Sequence, residues 1–583
     1  MERKTHPRPQ FIRDHWRSLD GEWQFKFDDE NKGMTEKWYT GLSDTRSILV
    51  PFTYETEKSG IHESEHHSTV WYETNIEIEE VADYTLTFEG VDYKTAVWIN
   101  GQMVGTHQGA YERFSFDIKS YITTGNNKIV VRVTDSMACE QPRGKQRWLK
   151  DNFGCWYVQT TGIWKTVWLE KRLHGTHLSQ VKMTPNLDQD QLILEPQVSS
   201  LSSQLVTFEA EISFNGQLVN KLTSTLSHEM IPLQMDTRLK EDACWGTKVW
   251  SPEEPNLYDI SFKLYQGDKL IDAVSSYFGM RKISIEKGQI LLNNHQLYQR
   301  LILDQGYWQE SGITPPSVEA LELDLQRIKE MGYNGLRKHQ KIEDERFLYL
   351  CDKEGMLVWS EMASTYTFND LAVENFTDEW KQIVKQQYNH PAIITWVPFN
   401  ESWGIKGIAQ DTKQQKFTES IYYLTKALDD TRPVITNDGW VHTISDIITL
   451  HDYEEVGEVF AARYADKDAI LGNEIQFNKD FYAFAEGYQY KGQPVIISEF
   501  GGIAFTSNHA EDWGYGRQVK SEDEFMERFD HIHQAIQELP YVVGYCYTQL
   551  TDVEQEVNGL LDVHREPKVD LANVKKINER RLK

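Results

Sequence analysis

A chain of 583 residues is too long for a single ordinary core, and 39% apolar with 26% charged residues is a globular rather than a disordered balance. A net charge of −28 repels phosphate backbones and anionic lipid surfaces alike, so neither nucleic acid nor a membrane is an expected partner. Aromatic residues make up 12% of the chain, a large stock of flat surface with polar edges.

The chain opens on Met1-Glu2-Arg3-Lys4-Thr5-His6-Pro7, charged and with no apolar run behind it. With no stretch near the roughly 18 apolar residues of a spanning helix, a cytoplasmic location is the expectation. Up to Leu173 the texture is short alternating runs, such as Ala96-Val97-Trp98-Ile99 before Asn100-Gly101. Asn-Gly between such runs signals a hairpin, so residues 1–173 read as a β jelly roll. Residues 174–285 continue the alternation, as in Tyr258-Asp259-Ile260-Ser261-Phe262, and suit a seven-stranded immunoglobulin-like β-sandwich.

From residue 286 to 583 helical stripes alternate with short apolar runs. Val318, Leu321, Leu325 and Ile328 share one helix face, and a cap at Thr377 is expected to start the helix that carries Trp380, Ile383 and Val384 inward. The apolar runs near Leu301, Leu336, Val358, Ile394, Val434-Ile435-Thr436, Ile448, Ile496 and Val543 count to eight strands, the rhythm of a (β/α)8 TIM barrel. A doubly wound sheet is the alternative, but no glycine-rich phosphate loop follows the first strand.

In such a barrel the chemistry sits just after each strand. Pro398-Phe399-Asn400-Glu401-Ser402-Trp403 follows the fourth strand and Glu499-Phe500-Gly501-Gly502 the seventh. Two carboxylates facing across one barrel mouth are what glycoside hydrolysis requires: one protonates the leaving oxygen and the other attacks or stabilises the anomeric carbon. A single strand-end glutamate would as readily cap a loop or pair with arginine; two, flanked by Asn, Trp and Gly-Gly, favour the chemical role. Trp403, Trp440, Trp513 and Tyr453 fall in strand-end loops, where aromatics stack on sugar faces or simply pack the loop.

The runs around Glu401 and Glu499 resemble the two signatures of glycoside hydrolase family 2. Leu19-Asp20-Gly21-Glu22-Trp23, Gly90-Val91-Asp92 through Gly101, and Thr160-Thr161-Gly162-Ile163-Trp164 resemble its sugar-binding jelly roll. The resemblance covers essentially the whole chain, without the extra C-terminal domains of the large β-galactosidases. It implies a retaining exo-β-glycosidase acting on small glycosides, with Glu401 as acid/base and Glu499 as nucleophile. It further implies that Asn400 binds the sugar 2-hydroxyl, Tyr453 touches the nucleophile, and Arg337 and His339 face the sugar. Homo-oligomers are common in the family, although no coiled coil or apolar seam marks one here. No cofactor is expected; some relatives hold a Mg or Na ion whose ligands cannot be matched here residue by residue.

Departures from the family pattern bear on the sugar. Leu303-Asp304-Gln305-Gly306 replaces the usual Asn-Arg-His-Glu run, and Lys338-His339-Gln340-Lys341 the usual Ser-His-Tyr-Pro. The Asn-x-Lys that reads a uronate becomes Asn558-Gly559-Leu560. A neutral sugar, galactose first, is therefore expected, with Asp304 contacting its hydroxyls; β-glucosidase, β-mannosidase, β-glucuronidase and arabinopyranosidase readings stand behind it. The alternative class is a non-catalytic carbohydrate-binding protein on a hydrolase scaffold. His62-Glu63-Ser64-Glu65-His66 matches the zinc-peptidase HExxH, but a glycine before it and a β run after it leave no room for the required helix. The five cysteines, Cys139, Cys155, Cys244, Cys351 and Cys546, are scattered without a CxxC pair, which argues against a disulfide framework or thiolate zinc.

Overall fold

The computed structural model describes residues 3–199, 205–226, 232–239, 246–478, 480–505 and 512–580. The first β region pairs a six-stranded antiparallel sheet with a four-stranded one. The long central strands Thr69–Ile78 and Gly125–Thr134 run in register from Thr69↔Thr134 to Ile78↔Gly125. Alternate side chains (Trp23, Phe25, Val70, Tyr72, Val131, Val133) fill the space between the sheets, as the period of two in their sequence requires. The second region stacks sheets of three and four strands, seven in all among the described residues, around Phe208, Ile260 and Phe262.

The third region is a parallel barrel. Its strands are β1 (Gln299–Asp304), β2 (Gly335–Lys338), β3 (Leu357–Glu361), β4 (Ile393–Val397), β5 (Asn437–Asp438), β6 (Ile448–His451), β7 (Val495–Gly501) and β8 (Val542–Thr548). Seven of them form one curled sheet in the order β4-β3-β2-β1-β8-β7-β6. The short β5 fills the remaining gap: it pairs with Phe399–Asn400, just beyond β4, and accepts the His451 N–H at Gly439. The fifth strand thus lies later than the apolar run Val434-Ile435-Thr436, of which Val434 keeps a bridge to Trp396.

One helix boundary also differs from the sequence expectation. The helix that carries Trp380 spans Asp370–Gln387, and Asn369 caps it by accepting the Ala372 N–H at 2.9 Å. Thr377 lies inside that helix and bonds its hydroxyl to the Val373 carbonyl, the back-bonding by which threonine competes with a cap role. The HExxH segment forms no helix, and His62 has a positive φ of 55°. Cys139, Cys155, Cys351 and Cys546 are free thiols, and Cys244 lies outside the described residues. No described helix is long and apolar enough to cross a membrane.

The β regions are fastened to the barrel by its own core. Tyr93, Tyr111, Tyr157 and Trp164 from the first region and Trp250 from the second belong to the same buried cluster as the barrel interior. Polar ties accompany them: Glu379 accepts the Ala110 and Tyr111 N–H groups, and Asp352 accepts the Tyr277 hydroxyl at 2.7 Å. The first region is thereby held against the barrel, and its 143–157 segment meets the barrel's loops.

Candidate active site

Five strand tips bring charge to one point. Arg337, at the end of β2, is fully buried, and its guanidinium fork is surrounded by acceptors. Nε donates to Glu361 on β3 at 2.5 Å; Nη1 lies 2.6 Å from Asp438 on β5 and 2.8 Å from Glu499 on β7; Nη2 donates to Asn400 Oδ1 at 2.6 Å. Only a rigid planar cation with five donors can hold four partners in this arrangement.

His451, the last residue of β6, completes the cluster. Nδ1 lies 2.9 Å from Glu401 and 3.5 Å from Glu499, and Nε2 lies 3.2 Å from Asp438. Burial opposes its charge, but Glu499, Asp438 and Glu401 outweigh burial and raise its pKa from 6.5 to about 10. At neutral pH it is an imidazolium with both nitrogens donating. Glu401, His451 and Glu499 also present one ligand atom each within 4.8 Å of one another, a grouping that could hold a metal ion in place of the proton on His451.

The two glutamates are pushed apart. Burial and then the Glu499 charge raise the pKa of Glu401, with the His451 hydrogen bond opposing them in part. Burial also acts upward on Glu499, but His451, Arg337 and His339 overcome it and the net shift is downward. Tyr453 donates its hydroxyl to Glu499 Oε2 at 2.5 Å. The pair is therefore biased in opposite directions, Glu401 toward keeping its proton and Glu499 toward the carboxylate, the direction of split that an acid/base and a nucleophile require.

The backbone at Glu401 is strained to present it. Glu401 and Ser402 have φ of 49° and 59°, a left-handed region that costs roughly 1–2 kcal/mol per L-residue. Glu401 N–H donates to the Asp438 carbonyl and Ser402 N–H to Asn437 Oδ1, each at 2.9 Å. A cavity of about 500 Å³ opens at Glu401 and His451, lined also by Trp440, Tyr453, Asn478, Phe481 and Tyr515.

Of the residues expected from sequence, Glu401, Glu499, Asn400, Tyr453, Arg337 and His339 are brought together. His339 reaches Glu361 through Nδ1 at 2.9 Å. Arg337 lies beneath the site with its donors engaged, rather than facing a sugar. Asn400 turns its oxygen to Arg337, which leaves Nδ2 buried with no partner. Trp403 is half-buried on the wall, its ring 5.5 Å from Trp156 and 5.8 Å from Tyr366. Trp513 stands outside the charged cluster: it donates to the Gly154 carbonyl and packs edge-on against Tyr515, which stacks on Tyr453 at 3.4 Å.

Asp304 does not join them. Lys338 holds one of its oxygens at 2.5 Å and the Gly306 N–H the other at 2.8 Å, and Glu343 and Lys341 extend that separate buried network. Sequence reasoning missed Glu361, Asp438 and His451, although each ends a strand and the strand-tip rule points to them.

Three family descriptions match consecutive stretches of the chain: "Glycosyl hydrolases family 2, sugar binding domain" over residues 16–172, "Glycosyl hydrolases family 2" over 176–281, and "Glycosyl hydrolases family 2, TIM barrel domain" over 283–581. A putative β-glucuronidase of Formosa agariphila is 28% identical over 400 residues, covering 66% of this chain and 47% of that protein. A β-galactosidase of Thermoanaerobacter pseudethanolicus is 27% identical over 486 residues, covering 78% and 62%. The chain thus spans about half the length of these curated relatives. The crystal structure of Ruminococcus gnavus β-glucuronidase superposes with a TM-score of 0.79 at 18% identity, covering 97% of this chain and 98% of that one, and so shares the fold. The chain belongs to glycosyl hydrolase family 2.

Proposed function

We propose that the protein is a retaining exo-β-glycosidase that works by double displacement. The observation that carries this reading is the Glu401–Glu499 pair: nearest oxygens within 4.8 Å, with opposite pKa shifts. Retaining enzymes keep their carboxyls about 5–5.5 Å apart, whereas inverting ones leave about 6.5–9.5 Å for a water. Glu499, kept ionised by His451 and Arg337 and oriented by Tyr453, attacks the anomeric carbon. Glu401 gives its proton to the departing oxygen. Loss of that proton is tolerated because His451, 2.9 Å away, is cationic. Water then enters on the same face, Glu401 takes its proton, and the glycosyl–Glu499 ester is cleaved. The unpartnered Asn400 Nδ2 is the donor for the sugar 2-hydroxyl.

A binding protein on a dead scaffold requires neither a strained Glu401 nor a buried cationic frame around Glu499, so the hydrolytic reading is preferred. The expectation of a neutral, galactose-like sugar keeps one support, the lysine-free Asn558-Gly559-Leu560 turn. It loses another, because the charge of Asp304 is met by Lys338. A panel of nitrophenyl β-glycosides, with 2-deoxy-2-fluoro analogues to trap the intermediate, tests the proposal. The expected result is turnover of at least one glycoside and an adduct mapped by mass spectrometry to Glu499. No turnover on any, or full activity in Glu499→Gln, overturns it.

A further inference from the structure

The 143–147 segment of the first β region carries three basic side chains, and they are treated differently. Arg143 donates to the Ser136 and Arg147 carbonyls at 2.5 and 3.2 Å. Arg147 donates to Gln159, Asn152 and the Ser64 carbonyl at 2.9, 3.0 and 2.5 Å. Lys145 is buried too, at 6% exposure between the 0% of Arg143 and the 8% of Arg147. Yet among the described residues no carboxylate forms an ion pair with its ammonium, whose polar partner is the neutral thiol of Cys155. Its ammonium lies over the face of Trp403, whose centroid is 4.8 Å from Nζ. A cation–π contact does not replace the hydration that burial removes from an ammonium, and a neutral thiol supplies no counter-charge.

The position is built. Gly144 has a φ of +60°, and a Cβ there would stand 2.3 Å from the Gln340 carbonyl oxygen; the turn sits directly on the loop after β2. Arg143 and Gly144 N–H groups both bond to the Ser364 carbonyl after β3, at 2.8 and 3.2 Å. Lys145 is thus fixed over the mouth of the barrel by backbone contacts to two of its loops. Its charge is felt by the site: it lowers His339 and Glu401 and is itself raised by Cys155, Glu556 and Glu499 against the effect of burial. Glu556 could have served as a counter-ion, but its oxygens already accept from Tyr157, Asn558 and, at 3.4 Å, Gln305.

We infer that Lys145 is a carboxylate-binding residue supplied by the first domain, and that the glycoside the site takes is acidic. The inference rests on the glycosidase reading above and adds the charge of its substrate. It also gives the lysine-free Asn558-Gly559-Leu560 turn a different meaning: the cation comes from another domain. A carboxylate on the sugar ring and one on the aglycone offer the same chemistry to Lys145, and substrate pairs separate them.

The first pair is 4-nitrophenyl β-galacturonide or β-glucuronide against the corresponding neutral galactoside or glucoside. The second is 4-carboxyphenyl β-galactoside against phenyl β-galactoside. In the wild type, kcat/KM should favour the carboxylate-bearing member of one pair by about 10- to 100-fold, the discrimination a charged hydrogen bond supplies. Lys145→Met should reduce that ratio by a similar factor, and Lys145→Arg should restore part of it. Preference for the neutral member in both pairs, or a ratio that Lys145→Met leaves unchanged, overturns the inference. Should Lys145→Met fail to fold, product inhibition of the wild type decides: galacturonate or glucuronate should inhibit at least 10-fold more tightly than galactose or glucose, or 4-hydroxybenzoate at least 10-fold more tightly than phenol, and equal inhibition in both comparisons overturns it. A Glu499 adduct without any such preference defeats the Lys145 assignment alone; no adduct and no turnover with any substrate defeats the glycosidase reading beneath it.

Discussion

The floor and the rim of the site solve the problem of buried charge in opposite ways. On the floor every charge has its partner in place: Arg337 is shared by Glu361, Asp438 and Glu499, and His451 by Glu401 and Asp438. On the rim Lys145 has a platform but no counter-ion among the described residues. A self-satisfied network fixes geometry and protonation before anything binds, which is what chemistry needs. An unsatisfied cation is costly until something completes it, which is what selective recognition needs. The floor is made by one domain and the rim by another, so the two properties can vary independently.

The contrast can be broken at several depths. Glu499→Gln should lower turnover by about 10⁴-fold or more while leaving the fold intact; steady-state assays with a circular dichroism control check it, and a small loss would remove Glu499 from the chemistry. Arg337→Met strands three buried carboxylates, so urea denaturation should show a loss of about 3–5 kcal/mol in unfolding free energy. A loss under 1 kcal/mol would mean that the floor is not held by its ion pairs. Tyr453→Phe removes one donor from Glu499 and should reduce kcat by about 10²-fold with unfolding unchanged.

On the rim, Gly144→Ala drives a methyl against the Gln340 carbonyl in a left-handed turn. It should cost about 1–3 kcal/mol and affect KM more than kcat, because the floor is untouched; equal losses in both would tie the rim to the chemistry.

The smallest effect is on pH dependence. The folded pKa of His451, about 10, lies above its ordinary 6.5, so its proton favours the folded state. That stabilisation is fully present below about pH 6.5 and is lost as pH rises through about 10. Denaturation midpoints of the wild type should fall over this window, and His451→Gln should flatten the fall. In activity, protonation of Glu499 limits the acid side and deprotonation of Glu401 the basic side, so Glu401→Gln should abolish the basic limb.

Legibility of the site followed its dependence on local pattern. Glu401 and Glu499 could be read because each follows an apolar run at a strand tip, and Tyr453 because it lies two residues past β6. Asp438 was obscured because the fifth strand is displaced beyond the apolar run that announces it. Asp304 was readable as a strand-tip carboxylate, but not its partner: Lys338, on the neighbouring strand, neutralises it. Thr377 satisfied a cap pattern seven residues into a helix that Asn369 had already started.

By itself the sequence determined the order of two β regions and a barrel, because periods of two and 3.6 residues are set by backbone geometry within a few residues. It also determined the glutamate pair, because barrel topology fixes what a strand end means. Tertiary structure alone decided which glutamate is pushed toward its acid form and which cation has no ion-pair partner among the described residues. Arg337 and Glu499 are 162 positions apart in sequence, and Lys145 lies in a different domain from both. Protonation and charge matching depend on distances of a few ångströms between groups that the chain does not order, and only the folded packing sets those distances.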